Sequence, residues 1–95
     1  MPPIIHPGEI LKDEIKARGL SANRLALEIG VPPGRVIDIQ NGRRSISADT
    51  ALRLGRYFGT GAKLWINLQS SYDLAVAERD HGAEIARTVR AADAA

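Results

Sequence analysis

Three arginines stand within ten residues of one another, Arg35, Arg43 and Arg44, with Pro33, Gly34, Asp38 and Asn41 beside and between them. A guanidinium is a planar fork of donors, shaped to bond the O6 and N7 acceptors of guanine or the oxygens of a phosphate. Arg35, near the start of a short helical pattern, suits the first task; Asn41, Arg43 and Arg44, towards and past its end, suit the second. Ser21, Asn23 and Arg24, at the start of the preceding pattern, are also placed for phosphates. The local charge agrees with this reading. Residues 35–63 hold six basic side chains (Arg35, Arg43, Arg44, Arg53, Arg56, Lys63) against Asp38 and Asp49, a net of +4 in a chain whose total is only +2. Residues 1–34 are neutral and residues 64–95 are net acidic.

Catalysis finds less support. His6, Glu9, Asp13 and Glu14 are candidate acids and bases, but Glu9 and Asp13 lie four residues apart on a short surface helix, the ordinary spacing of solvated charge. The chain has no cysteine, which removes a thiol nucleophile, a disulfide framework and sulfur-ligated zinc, and two histidines do not make up a metal site. No glycine-rich phosphate loop or nucleophile motif is present. A non-enzyme with no cofactor and no metal is expected. Trp65 and Tyr72 could stack on bases, but their helical spacing favours packing in a core or an interface. His81 is expected to be exposed. With 95 residues the chain is sized for one core, and no apolar run approaches the roughly 20 residues that cross a bilayer. A soluble, cytoplasmic domain with no membrane partner is expected.

The elements that must hold the arginines all read as helices. Pro7 suits a first helical turn, and Ile10, Leu11 and Ile15 follow at helical spacing until Arg18-Gly19, where glycine favours a stop. Ser21 is a good N-cap for Leu25, Ala26 and Ile29, which Gly30 closes. After Val31-Pro32-Pro33-Gly34, Val36 and Ile39 share one face of a third helix, stopped by Asn41-Gly42. Ser47 caps a fourth with Ala51, Leu54 and Phe58 on its apolar face, Leu52 beside it and Gly59 at its end. The fifth begins near Gly61 or Ala62 and carries Trp65, Leu68, Tyr72 and Ala75 in steps of three and four as far as about Arg79. Beyond it, residues 80–95 are rich in alanine with only Ile85 and Val89 as an apolar stripe, and a frayed or conditionally helical tail is expected. The chain thus divides into a helical domain over 1–79 and this tail.

One spacing ties the arginines to the elements. Ala26, Gly30, Val36 and Ile39 fall where a helix-turn-helix needs a small residue for close approach, a turn and two core anchors. Such a unit lays its second helix in the DNA major groove while its first crosses the backbone. Pro33, Gly34, Arg35, Ile37, Asp38 and Asn41 would then face outward.

The runs His6-Pro7-Gly8-Glu9-Ile10-Leu11, Val31-Pro32-Pro33-Gly34-Arg35, Asn41 through Leu54, Phe58-Gly59-Thr60, Trp65-Ile66-Asn67-Leu68-Gln69 and Tyr72-Asp73-Leu74 together resemble the HigA family of antitoxins, over about residues 5–79. The helix-turn-helix alone resembles only the wider Xre/Cro class. The resemblance implies an all-α, five-helix domain of the Xre and lambda-repressor type that forms a homodimer, binds a palindrome of double-stranded operator DNA in its own promoter and neutralises a HigB toxin, a RelE-like mRNA endonuclease. It places base reading on Arg35 and its neighbours and backbone contact on Asn41-Gly42-Arg43-Arg44. It also implies a dimer contact along about 62–79, with Trp65, Leu68, Tyr72 and Ala75 as its candidates. Pro32-Pro33 departs from the Ser or Thr often found capping recognition helices in the wider class. The rival readings are an orphan Xre-type repressor without a toxin, and an interaction module that keeps the fold without using it on DNA.

Overall fold

Side chains that prefer helix, punctuated by caps and left-handed glycines, divide the chain into five helices: α1 (Pro7–Ala17), α2 (Ala22–Ile29), α3 (Pro33–Gln40), α4 (Ala48–Phe58) and α5 (Ala62–Thr88). They are taken from a computed structural model that describes residues 3–92, among which there is no strand. The two expected caps form: the Ser21 hydroxyl accepts from the Arg24 N–H at 3.0 Å and the Ser47 hydroxyl from the Thr50 N–H at 3.2 Å. His6 caps as well. Its Nδ1 accepts from the Gly8 N–H at 2.9 Å, which assigns a structural task to a side chain whose type suggested acid–base chemistry. Three helices stop alike. After α1, α2 and α3 a glycine with positive φ (Gly19, Gly30, Gly42) turns the chain, and the next residue's N–H returns to the carbonyl five residues back: Leu20 to Ile15, Val31 to Ala26, Arg43 to Asp38. This paired hydrogen bonding satisfies carbonyls that the helix end would otherwise leave open.

The core collects Leu11 and Ile15 of α1, Leu25, Ala26 and Ile29 of α2, Val36 and Ile39 of α3, Ile46 of the following loop, Ala51, Leu54 and Phe58 of α4 and Trp65 of α5. Each apolar position expected of the helix-turn-helix is therefore buried. Ile10 and Leu52, read as core-facing or flanking it, point to solvent instead. Among the described residues, two buried polar side chains join this core. Gln69 Oε1 accepts from the Ile46 N–H at 2.8 Å, which ties α5 to the loop after α3 and satisfies a donor that burial would otherwise strand. Thr50 is the other, hydrogen-bonded to Ser47.

Trp65 needs a correction as a dimer contact. Only 1% of its surface is exposed; its ring packs 5.8 Å from that of Phe58, and Nε1 donates to Thr60 Oγ1 at 3.0 Å. A side chain so covered by its own chain has no face left for a partner. The four residues share one stripe of α5, which runs from the core at Trp65 to a partly exposed rim at Tyr72 and Ala75.

The fifth helix also runs further than its apolar pattern, with turns continuing past Arg79 to Thr88. At 27 residues it is about 40 Å long, and it stretches the molecule to 52 Å against 26 and 22 Å in the other directions. Residues 93–95 of the expected tail lie outside the described residues, as do residues 1–2 of the expected domain.

Candidate nucleic-acid interface

The helix-turn-helix is held from both sides. On one side, α1 meets the end of α3 so closely that a Cβ on Gly8 would fall inside the contact distance of the Ile39 carbonyl oxygen. Glycine at this position lets the two backbones approach, and so fixes how far α3 stands from the core. On the other side, Arg53 of α4 reaches the turn: Nη1 donates to the carbonyl oxygens of Ile29 at 2.8 Å and Gly30 at 3.3 Å, and Nε donates to Asp49 at 2.7 Å. Arg53 belongs to the basic segment of the sequence, but its charge is directed at the turn that orients α3. Arg53→Ala should lower stability by about 1–2 kcal/mol, the usual cost of losing a charged donor to a partly buried acceptor. Urea unfolding measures this; an unchanged midpoint would mean that water replaces the guanidinium without loss.

Pro33 occupies the first turn of α3, where its missing N–H is not needed, and Pro32 precedes it with no side-chain cap. Val36 and Ile39 anchor one face of this helix, leaving Gly34, Ile37 and Asp38 on the exposed side, with Asn41 at the C-cap. Nothing stands within 4 Å of where a Cβ on Gly34 would be, so this face is open at its first turn. Arg35 sits half-buried on the flank of the same helix. Ser21, Asn23 and Arg24 are exposed at the start of α2.

The arginines differ in what already holds them. Arg24 pairs with Glu28 at 2.8 Å, and Arg43 Nη2 donates to Asp38 Oδ1 at 3.1 Å. Arg35 and Arg44 have no carboxylate within 4.0 Å among the described residues. Exposed ion pairs contribute about 0–1 kcal/mol, so Arg24 can exchange its partner for a phosphate at little cost, while Arg43, 62% exposed, has donors left for a phosphate without leaving Asp38. The Arg24–Glu28 pair has the i,i+4 spacing that a helical sequence already offers, whereas the Asp38–Arg43 pair depends on the chain reversal at Gly42 and gave no such signal.

Of the other residues read as contacts between copies, Leu68, Tyr72 and Ala75 are partly buried and line a shallow groove of about 260 Å³ with Ile4, Ile5 and Ile10. The Tyr72 ring also meets His6, at 4.7 Å between ring centres in an edge-to-face contact. No group of three or more potential metal ligands forms among the described residues, and no helix there is long and apolar enough to cross a membrane.

Comparison with known proteins accords with this geometry. A helix-turn-helix family model matches residues 11–65. The chain is 54% identical over 79 residues to virulence-associated protein I of Dichelobacter nodosus, covering 82% of this chain and 73% of that one. Among solved structures, an addiction module antidote protein of a HigA family from Coxiella burnetii superposes with a TM-score of 0.92 at 46% identity, covering 96% of this chain and 100% of the other. The Pseudomonas aeruginosa antitoxin HigA, solved with the higBA promoter, has a TM-score of 0.90 at 46% identity, covering 93% and 97%. The chain belongs to the HigA family of helix-turn-helix antitoxins.

Proposed function

We propose that the chain is the antitoxin of a two-gene module, a cytoplasmic DNA-binding dimer that represses its own promoter and neutralises a ribosome-dependent mRNA endonuclease. The observation that carries this reading is the open face of α3, flanked by the uncommitted guanidiniums of Arg35 and Arg44. The relative solved on promoter DNA supports it. Arg35 reads guanine; Asn41, Arg43 and Arg44 follow the backbone beyond α3; Ser21, Asn23 and Arg24 hold it at the start of α2. Two copies join along α5 through Leu68, Tyr72 and Ala75, and set their α3 helices about one DNA turn apart, roughly 34 Å, in successive major grooves.

Toxin neutralisation has its own test. Co-expression with the product of the adjacent gene should yield a copurifying complex and relieve growth inhibition by that product. Relief should persist in an Arg35→Ala, Arg44→Ala double variant, because DNA contact is not needed for it. Growth inhibition that the chain leaves untouched would favour a repressor without a toxin.

A further inference from the structure

We infer that Asp38 is a specificity-determining residue that reads an amino donor, the N4 group of a cytosine, on the major-groove edge of the operator. The inference rests on the DNA-binding reading and adds a base contact to it. Residues four apart lie on one face of a helix, so Gly34 and Asp38 stand one turn apart on the side opposite Val36 and Ile39. Gly34 has no side chain and nothing near it, which lets the first turn of α3 come close to a groove floor. Asp38 is then the next side chain along that line of closest approach.

Its partner keeps it there. The helix stop after α3 brings the Arg43 N–H to the Asp38 carbonyl at 2.8 Å, and Arg43 Nη2 to Asp38 Oδ1 at 3.1 Å. At this kind of stop the two side chains concerned are commonly apolar, so the fold does not require a charged pair. Oδ2 has no hydrogen-bond partner among the described residues, and 39% of the Asp38 side chain is exposed. A carboxylate facing DNA is repelled by phosphates and by the acceptor edges of guanine and thymine. It is favourable where a base offers a donor, and cytosine N4 is the donor that acidic side chains take in this groove. Arg43 offsets the carboxylate charge towards the phosphates and fixes its orientation, acting as a positioning residue for Asp38.

The test is a binding profile of the full chain against every single base-pair substitution of its operator, for wild type, Asp38→Ala and Asp38→Asn. In the wild type, replacing one C·G pair per half-site should weaken binding by about 10- to 100-fold. Asp38→Ala should flatten the preference at that position while leaving the guanine preference assigned to Arg35. Asp38→Asn should shift the same position towards adenine, which an amide reads through N6 and N7. A purely structural role for Asp38 would change affinity at all positions together and leave base preference alone. A sequence-specific wild-type profile that Asp38→Ala leaves unchanged overturns this inference only. A wild type that shows no preference for any DNA overturns the operator reading and this inference with it.

Discussion

Arg35→Ala is expected to weaken operator binding by about 30-fold to 10⁴-fold, since a bidentate guanine contact contributes about 1–3 kcal/mol and the proposed dimer would make the proposed contact twice. The side chain sits on the flank of α3 with no carboxylate partner among the described residues, so no ion pair has to break before it binds. Binding to unrelated DNA should fall much less, because there Arg35 supplies only one charge per protomer to a phosphate-dominated contact. Fluorescence anisotropy on operator and scrambled duplexes gives both numbers. Equal losses on the two would assign Arg35 to the backbone rather than to a base. Far-ultraviolet circular dichroism should be unchanged, since Val36 and Ile39, not Arg35, anchor the helix.

Trp65→Ala is expected to lower unfolding free energy by about 3–5 kcal/mol, the usual range for removing a buried large aromatic side chain. Small domains hold only about 5–15 kcal/mol in all, so the variant should be partly unfolded at moderate temperature. Deletion of this ring opens the contact with Phe58 between α4 and α5 and leaves the Thr60 hydroxyl without its donor. Urea unfolding followed by circular dichroism measures the loss. A stable Trp65→Ala monomer at wild-type urea midpoint would return Trp65 to the interface. Tyr72→Ala, at a partly exposed position on the same helix, should instead shift the dissociation of the dimer with a smaller effect on the fold.

The contrast between these two aromatics shows where sequence reasoning reached its limit. Trp65 and Tyr72 occupy the same helical stripe, and periodicity says that both face the body of the protein without saying which is under it and which at its rim. Helix starts and stops were legible because they are local: Ser21 and Ser47 cap within three residues, and glycines end α1, α2 and α4 where expected. The extension of α5 to Thr88 was not, because an alanine-rich run favours helix without supplying either an apolar face or a stop. Features made by distant segments gave no signal at all. Arg53 binds carbonyls more than twenty residues away, Gly8 admits the Ile39 backbone, and Gln69 bonds the Ile46 N–H. Each depends on how helices meet, and each bears on the placement of α3. The composition of the candidate interface was legible as a basic segment, while the Asp38–Arg43 pair and the reach of Arg53 to the turn required the fold.

Hydroxyl-radical footprinting of the full chain on the DNA upstream of its own gene tests the central claim most directly. Two protected stretches on one face of the duplex, related by a two-fold axis and centred about one helical turn apart, are the expected result. The affinity that produces them should fall steeply with salt, by about 0.9 in log K per tenfold rise in salt for each phosphate neutralised. Uniform protection, or none at concentrations that also leave scrambled DNA unprotected, would contradict the assignment of α3 as a recognition helix.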